Sequence, residues 1–464
     1  MSERTQNSNM KTIDLDKIKK VHFIGIGGIG MSALARYFRS RNRIVSGYDR
    51  AETALTRQLK AEGISVHYED RVELAPVDVD MVIYTPAIPP DNNELQFYRH
   101  RKSWMLKRSE VLGLLTERSF NICVAGTHGK TTVSTMIAYI LRDSGFGCNA
   151  FLGGISANYN SNFWSNEKNV YVIEADEYDR SFLKLSPDIE VITAMDADHL
   201  DIYGTATEVE NAFIDFSGRL KQKGILFVKA GLARINELKA TRKLSYSMNA
   251  TGSDIRVGKI EIRNGAYHFD VSTPSGTLQD MELNMGGLHN VENVSVAIAI
   301  AKHMGIEDAR IRSAVRGFKG VKRRFEYILK TEQHIYIDDY AHHPEELRAL
   351  ISGVRSLFRQ KKCTIVFQPH LYSRTRDFAD GFAEVLDQAD EVILLPIYPA
   401  REKPIEGVES SLILGKMKNR QSMVLQKQEA LSWIGKQRPE LLITAGAGDI
   451  DQLIEPIKQI LLTK

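Results

Sequence analysis

Short runs of β-branched and apolar residues alternate with helical patterns along almost the whole chain, and the alternation restarts three times. The predicted strands form three sets: 21–26, 44–48, 64–68 and 81–85; 121–125, 170–174, 189–194 and 225–229; 335–338, 364–367, 391–395 and 441–444. Strands that alternate with helices form parallel sheets connected by crossover helices. The pattern therefore predicts an α/β protein of three domains.

The length of 464 residues agrees with three domains, because a single core rarely extends over so long a chain. We place the boundaries near residues 119 and 321. The predicted segments are a flexible tail and three domains: 1–20, 21–118, 119–320 and 321–464. Within the second domain, residues 254–272 predict a β-hairpin that turns at Asn264 and Gly265.

Composition excludes several classes of protein. The net charge of +3 gives little attraction to nucleic acid or to an anionic membrane. No apolar run approaches the roughly 18–20 residues of a membrane-spanning helix. The first ten residues are polar and do not resemble a signal peptide, and the three cysteines have neither disulfide nor zinc spacing. We expect a cytoplasmic protein that binds neither nucleic acid nor membrane.

A glycine loop follows the first strand of the second domain. The common phosphate-loop spacing G-x-x-x-x-G-K-[ST] would require glycine at Val124, but the leading glycine here is Gly126. The strand, loop and helix order is nevertheless that of a phosphate site, because a helix N-terminus attracts anions. We expect Lys130 to reach the β- and γ-phosphates and the Thr131 hydroxyl to bind magnesium. The alternative is a glycine turn before an ordinary helix.

A second glycine loop lies in the first domain and fits G-x-G-x-x-G, with glycines at Gly25, Gly27, Gly28 and Gly30. Asp49 ends the next predicted strand, where a dinucleotide fold places its ribose-binding carboxylate. The motif predicts a pyrophosphate ligand and leaves NAD and other diphosphate nucleotides open. A tight turn without a ligand is the alternative.

Acidic and imidazole groups follow two strands of the second domain. Glu174 and His199 come after these strands, where open α/β sheets bind ligands, so they are candidates to share a magnesium ion with Thr131. Solvated loop charge is the favoured interpretation of three other acidic residues: Glu177, Asp179 and Asp196. Helix capping is the alternative role for two further polar clusters: His289, Asn290 and Asn293, and Asp339, His342 and His343.

Taken together and in this order, these motifs resemble the ATP-dependent Mur ligases of peptidoglycan synthesis, over residues from about 20 to 450. The shortened loop from Gly126 to Thr132 looks like the nucleotide loop of that family. The resemblance implies a Rossmann-like UDP-binding domain, a central P-loop ATPase domain and a C-terminal Rossmann-like domain.

Within the family, "VHFIGIGGIGMSALA" and "DDYAHHP" are similar to the branch that joins L-alanine to UDP-N-acetylmuramate through an acyl phosphate. Several other branches carry a magnesium-binding lysine where residues 205–218 contain none, which also favours this branch. The implied substrates are UDP-N-acetylmuramate, L-alanine and ATP, and the implied cofactor is Mg²⁺. We expect a monomer or a weak homodimer.

The resemblance also implies a role for individual residues. The residues implied to bind the UDP-sugar are the glycines of the first loop together with Met31 and Asp49: Gly25, Gly27, Gly28, Gly30, Met31 and Asp49. ATP binding falls to Gly126, Thr127, His128, Gly129, Lys130, Thr131, Thr132, Asn293, Arg324 and Asp339. The implied catalytic residues are Lys130, Glu174, His199 and Asp339, and the implied magnesium ligands are Thr131, Glu174 and His199. The implied amino-acid-binding residues are His343, His370 and Arg374.

Leu371 departs from the family pattern, because some alanine-adding members carry arginine at this position. Three other functions stay open. A recycling ligase would attach a tripeptide to the same sugar nucleotide. An NAD-dependent dehydrogenase would explain Gly25–Gly30 and Asp49 but not Gly126–Thr132. A non-catalytic nucleotide sensor would not require Glu174 and His199 beside the loop.

Overall fold

The computed structural model describes residues 13–101, 103–196, 200–400 and 402–463. Within these residues the chain forms three β-sheets in succession, covered by helices. The predicted α/β fold with three domains is confirmed. None of the helices in this described part is long and apolar enough to span a membrane.

The first sheet is wholly parallel, with strand order β3-β2-β1-β4-β5. Its strands are β1 Lys20–Ile24, β2 Ile44–Tyr48, β3 Ser65–His67, β4 Met81–Tyr84 and β5 Trp104–Lys107. Its helices are α1 Ile29–Ser40, α2 Ala54–Ala61, α3 Asn93–Arg99 and α4 Arg108–Glu117. Ile13 and Ile18, which fall in the predicted tail, are each 5% exposed and pack in the core beside this sheet.

The second sheet has the order β15-β14-β13-β12-β11-β10-β6-β9-β7-β8. Its strands are β6 Phe120–Ala125, β7 Asn149–Ser156, β8 Ser161–Trp164, β9 Val170–Glu174, β10 Ile189–Ile192, β11 Ile225–Lys229, β12 Lys243–Ser247, β13 Ile255–Arg263, β14 Ala266–Thr273 and β15 Gly276–Leu283. Its helices are α5 Lys130–Asp143, α6 Leu200–Tyr203, α7 Ala206–Ser217, α8 Leu288–His303 and α9 Asp308–Gly317. The strands from β9 through β6 to β13 pair in parallel.

The predicted hairpin is formed by β13 and β14, which pair antiparallel. Asn264 and Gly265 connect them with φ angles of 53° and 69°. Both residues of a tight two-residue hairpin turn need positive φ, and asparagine followed by glycine accepts this conformation best. The hairpin prediction is therefore confirmed, and so is its physical basis.

The third sheet has the order β16-β17-β21-β18-β19-β20, and only the β16–β17 pair within it is antiparallel. Its strands are β16 Glu326–Lys330, β17 Ile335–Asp339, β18 Cys363–Phe367, β19 Glu391–Leu394, β20 Ser422–Val424 and β21 Leu441–Ala445. Its helices are α10 Pro344–Leu357, α11 Tyr372–Asp377, α12 Ala379–Leu386, α13 Ser410–Leu414, α14 Lys427–Gln437 and α15 Ile454–Leu462.

The first and second domains share an aromatic interface. The Tyr37 ring of α1 lies 5.6 Å from that of Phe151 in β7 and 6.2 Å from that of Phe163 in β8, measured between centroids. All three rings belong to one hydrophobic core that includes both sheets. This packing holds the helix that follows the first glycine loop against the second domain.

A carboxyl group is buried in the centre of the second sheet. Glu190 of β10 is 0% exposed, and neither of its carboxylate oxygens has a hydrogen-bond partner among the described residues. Its neighbours in register are Cys123 and Leu226. Burial raises the pKa of Glu190 to about 8, so the side chain is mostly protonated at neutral pH.

Glu190→Leu is expected to stabilise the protein above neutral pH. The unfolded chain releases this proton near the ordinary pKa of 4.5, whereas the folded chain retains it up to about 8. Glu190 therefore lowers the free energy of unfolding progressively as pH rises through this window, on the order of 4 kcal/mol by pH 8. Urea unfolding near both ends of the window tests this. Glu117→Leu, at an exposed position, is the control, and an unchanged pH slope in Glu190→Leu would contradict the assignment.

Candidate active site

The loop between β6 and α5 has the geometry of an anion-binding loop. Gly126 and Gly129 have φ angles of 136° and 83°, which only glycine adopts easily. A β-carbon at Gly126 would also clash with the Thr193 hydroxyl. That hydroxyl donates to the carbonyl of Ala125 at 3.1 Å and also contacts the carbonyl of His128. The loop is thus tied to the end of β10 and leads directly into the helix N-terminus.

Lys130, the first residue of α5, is held by two oxygens. Its ammonium donates to the Gly126 carbonyl at 2.8 Å and to Oε1 of Glu177 at 2.7 Å. The Glu177 side chain is only 1% exposed, and the Tyr203 hydroxyl donates to its main-chain carbonyl at 2.5 Å. Burial raises the pKa of Glu177, and Lys130 opposes that shift. The interpretation of Glu177 as a solvated loop charge is wrong, because the chain after β9 turns inward toward Lys130.

Thr131 and Glu174 lie together at the same edge of the sheet. The Thr131 hydroxyl donates to Oε1 of Glu174 at 2.8 Å, and the Gly153 backbone donates to Oε2 at 2.7 Å. Thr132, the next residue of α5, is buried. A hydroxyl and a carboxylate in contact are oxygen ligands of the kind that Mg²⁺ prefers, so these two fit the expected ion. His199, the third predicted ligand, lies outside the described residues.

The other predicted ATP residues of the second domain surround this loop. The Thr127 hydroxyl accepts a hydrogen bond from the Asp196 backbone at 3.2 Å. His128 is exposed, with Nε2 3.9 Å from Oδ2 of Asp196. Oδ1 of Asn293, in α8, would lie 3.4 Å from a β-carbon at Gly129. The structure therefore gathers residues from α8 and from the loops after β6 and β10.

The segment that enters the third domain passes beside this edge. The Lys322 backbone donates to the carbonyl of Ile155 in β7 at 2.8 Å. The exposed Arg324 follows, and its charge acts on Asp339. The carboxylate of Asp339 accepts from the backbones of Phe325 and Ala341, each at 2.7 Å, and burial raises its pKa to about 6. Arg324 and Asp339 thus lie close to each other at the junction of the two domains.

The first glycine loop connects β1 to α1. Gly25 has a φ of 87°, and the Gly27 backbone donates to Oδ2 of Asp49 at 2.7 Å. A β-carbon at Gly27 would clash with Asp49. Gly28 is the N-cap of α1, with no side-chain hydrogen bond to the helix end. The Asp49 carboxylate therefore orders the loop by accepting a hydrogen bond from the loop backbone.

Arg108, which belongs to none of the sequence motifs, covers the last glycine of this loop. A β-carbon at Gly30 would clash with Nη1 of Arg108. Nη2 of the same guanidinium lies 3.5 Å from Oδ2 of Asp176 in the second domain. Met31, the residue after the last glycine, is 2% exposed and packs in the core. Arg108 thus gives the loop a positive charge that also contacts the neighbouring domain.

The predicted amino-acid residues lie at the carboxyl ends of β17 and β18. Nη1 of Arg374 is 3.4 Å from Nδ1 of His370, and the His342 ring centroid is 6.1 Å from that of His370. The His343 ring instead lies 4.5 Å from that of Phe378. The structure thus groups His342 with His370 and Arg374, and places the ring of His343 in a separate contact.

The electrostatic environment of this cluster favours a neutral imidazole. Burial lowers the pKa of His370, and the neighbouring charges of Arg374 and His342 lower it further. Leu371 has a φ of 70°, which is strained for a leucine, and its backbone donates to the carbonyl of Tyr398 at 2.9 Å. Within the described residues, no hydrogen bond or ion pair joins the His342, His370 and Arg374 cluster to Lys130.

Comparison with known families identifies the class of protein to which this arrangement of loops and side chains belongs. Three family descriptions match successive parts of the chain: "Mur ligase family, catalytic domain" at residues 20–120, "Mur ligase middle domain" at 124–301 and "Mur ligase, glutamate ligase domain" at 323–448. The chain belongs to the Mur ligase family.

Several similar proteins carry one name. A protein of Flavobacterium johnsoniae named UDP-N-acetylmuramate–L-alanine ligase is 46% identical over 97% of this chain and 99% of its own length. A protein of the same name from Christiangramia forsetii is 44% identical over 97% of this chain and 99% of its own. The crystal structure of UDP-N-acetylmuramate–alanine ligase from Thermotoga maritima has a TM-score of 0.79 at 27% identity, covering 96% of this chain and 98% of that one.

The ion pair between Lys130 and Glu177 leads to a stability prediction. Lys130→Met should destabilise the protein by about 3 kcal/mol or more, because it removes the ammonium that offsets the burial of the Glu177 carboxylate. The double variant Lys130→Met with Glu177→Gln should recover most of this loss. Denaturant unfolding of both variants measures the difference, and Lys239→Met, at an exposed pair, is the control. A double variant no more stable than Lys130→Met would contradict this account.

Proposed function

We propose that this chain joins L-alanine to the lactyl carboxylate of UDP-N-acetylmuramate at the expense of ATP. The named relatives, about 45% identical over nearly the whole chain, support this substrate set. The observation that carries the proposal is the presence of three separate sites in successive domains: a covered glycine loop, a phosphate loop with Lys130, and the cluster of His342, His370 and Arg374.

The first chemical step transfers a phosphoryl group. An oxygen of the muramate carboxylate attacks the γ-phosphorus, and the bond from that phosphorus to the β–γ bridging oxygen breaks. ADP is the leaving group, and the product is an acyl phosphate. Lys130 would neutralise charge on the phosphoryl group as it transfers, which is the main catalytic requirement of such steps. Thr131 and Glu174 would hold Mg²⁺, which supplies further charge neutralisation on the phosphate oxygens when bound.

The second step forms the amide. The alanine amine attacks the acyl carbon, the bond from that carbon to the phosphate oxygen breaks, and inorganic phosphate leaves. The alanine ammonium must lose one proton before it attacks, and a neutral His370 is suited to accept it. A second proton leaves the nitrogen as the amide forms and passes to the departing phosphate, and the amide keeps the third. Arg374 would bind the alanine carboxylate through paired hydrogen bonds. The His342 ring centroid lies 6.1 Å from that of His370, and His343 stays a candidate for binding the amino acid.

The remaining details belong to the same proposal. We assign UDP-sugar binding to residues 21–118, ATP binding to 119–320 and amino-acid binding to 321–464. The enzyme would act in the cytoplasm, as a monomer or weak homodimer. A murein peptide ligase of Psychrobacter arcticus has a TM-score of 0.63 at 22% identity, and this likeness shows the fold alone. A dehydrogenase would leave the Lys130 and Glu174 arrangement without a role.

Phosphate release tests the proposed function. Purified protein with Mg²⁺, ATP and UDP-N-acetylmuramate should release phosphate when L-alanine is added, and product mass should rise by one alanine residue. The same assay with glycine, L-serine or the recycled tripeptide defines the amine specificity. Faster turnover with the tripeptide than with alanine would favour the recycling ligase. Phosphate release without any amine would indicate a simple nucleotidase.

Glu174→Gln should raise the Mg²⁺ concentration that gives half-maximal turnover by about tenfold or more, because one charged ligand oxygen is replaced by a neutral amide. The Michaelis constant for alanine should change far less, since Glu174 lies in another domain. A magnesium titration of phosphate release provides the measurement, and Asp179→Asn is the control on the same loop. Identical magnesium curves for Glu174→Gln and wild type would remove Glu174 from the metal site.

Arg374→Ala should raise the Michaelis constant for alanine by about ten- to a hundredfold, because the substrate carboxylate loses its paired donors. The constants for ATP and UDP-N-acetylmuramate should change little. Arg374→Lys should recover only part of the loss, since lysine keeps the charge without the planar geometry. Steady-state kinetics with each substrate varied in turn checks this. A parallel rise in all three constants would mean that Arg374 only maintains the fold.

A further inference from the structure

Two adjacent acidic residues connect the two glycine loops. Asp176 contacts Arg108, the guanidinium that covers Gly30 of the first loop, at 3.5 Å. Its neighbour Glu177 contacts Lys130 of the second loop at 2.7 Å. The charged contact from the first domain and the charged contact from the phosphate loop therefore end on two residues that are adjacent in the chain.

The two contacts differ in strength. Arg108 and Asp176 are 22% and 42% exposed, so solvent screens their attraction and a more highly charged anion can displace the carboxylate. Lys130 and Glu177 are 15% and 1% exposed, so their attraction is screened much less. The outer contact is thus the easier one to exchange.

The two carboxylates also act on each other. The negative charge of Asp176 raises the pKa of Glu177, in addition to the larger effect of burial. Arg108 compensates that charge at the outer end. If the guanidinium turns to a pyrophosphate, Asp176 is less compensated and the carboxylate form of Glu177 becomes less favourable. Glu177 then holds Lys130 less tightly, and the ammonium is more available to ATP.

The backbone after these residues is suited to such a movement. Asp179 and Arg180 have φ angles of 50° and 60°, which non-glycine residues rarely adopt. Strained conformations of this kind occur in segments with alternative arrangements. The domains on either side are fixed by the packing of Tyr37 against Phe151 and Phe163. A change at Arg108 is therefore transmitted to a turn rather than absorbed by rotation of the domains.

We propose that Asp176 and Glu177 couple the UDP-sugar site to the ATP site, so that a nucleotide diphosphate bound at Arg108 increases the affinity of the phosphate loop for ATP. This inference rests on the proposed function, which supplies the two ligands. Arg108 is a binding residue for the pyrophosphate, and Asp176 and Glu177 are positioning residues that act through Arg108 and Lys130.

The expected coupling is modest, because it is limited by the partly exposed contact between Arg108 and Asp176. We expect each ligand to tighten binding of the other by a factor of about three to five. The two factors must be equal, since coupling between two binding sites is reciprocal. This equality gives the measurement an internal check.

Calorimetric titration of the full chain tests the coupling without turnover. UDP-N-acetylmuramate is titrated alone and with saturating Mg²⁺ and the non-hydrolysable analogue AMP-PNP, and the reverse titration is then made. Asp176→Asn and Glu177→Gln should each reduce the coupling factor to about one. Asp179→Asn is the matched control on the same turn, because its carboxylate contacts Ser181 and should leave the factor unchanged.

The outcomes separate the coupling from the proposed function. A wild-type factor of one, or wild-type coupling retained in both Asp176→Asn and Glu177→Gln, overturns the coupling. If the wild type binds UDP-N-acetylmuramate and releases phosphate with alanine, the proposed function stands in either case. Failure to bind the sugar nucleotide overturns both. Asp176→Asn alters a partly exposed side chain, so it is expected to perturb folding less than Glu177→Gln.

Discussion

The ammonium of Lys130 lies between the Gly126 carbonyl and the buried Glu177 carboxylate, and its charge offsets part of the cost of burying that carboxylate. The last residue of β9, Glu174, accepts a hydrogen bond from the Thr131 hydroxyl. The end of β9 and the residues just after it therefore fix both functional side chains at the start of α5. Because the helix begins at Lys130, its orientation and that of the glycine loop follow from these two contacts.

Parallel topology explains why the other groups gather around this point. The strands β6, β9 and β10 are neighbours in the sheet, so the loops that follow them open at one edge. The first domain meets that edge through Arg108, and the third enters beside it through the segment that carries Arg324. The φ angles of 60° at Arg323 and 50° at Phe325 place strained residues in this connection. Movement of the third domain is most easily absorbed there.

The sequence predicts features that depend on local pattern. Strand, glycine and helix signals adjoin one another around Gly126, and the Asn264–Gly265 turn lies within its own hairpin. Features that depend on distant contacts are missed. Glu177 resembles any loop acid until Tyr203 and Lys130 enclose it, and Arg108 gains its role only where two domains meet. Glu190 interrupts an apolar strand in a way that resembles a solvent-facing position, although the sheet is covered on both sides. The contact of the His342 ring with His370, and of the His343 ring with Phe378, depends on ring orientation at the start of α10, which spacing cannot give.

The separation of the three sites has a chemical consequence. An acyl phosphate reacts with water, so an enzyme that forms one must bring in the amine before water reaches the acyl carbon. In this chain the cluster of His370 and Arg374 belongs to a different domain from Lys130, so under the proposed function the amine would approach only as the third domain closes. The phosphoryl donor and acceptor would instead belong to two domains already packed together through Tyr37. Formation of the intermediate would thus depend on a preassembled pair of sites, and its consumption would depend on closure. The two chemical steps would then follow in order, because the first uses an interface that is fixed and the second uses one that can move.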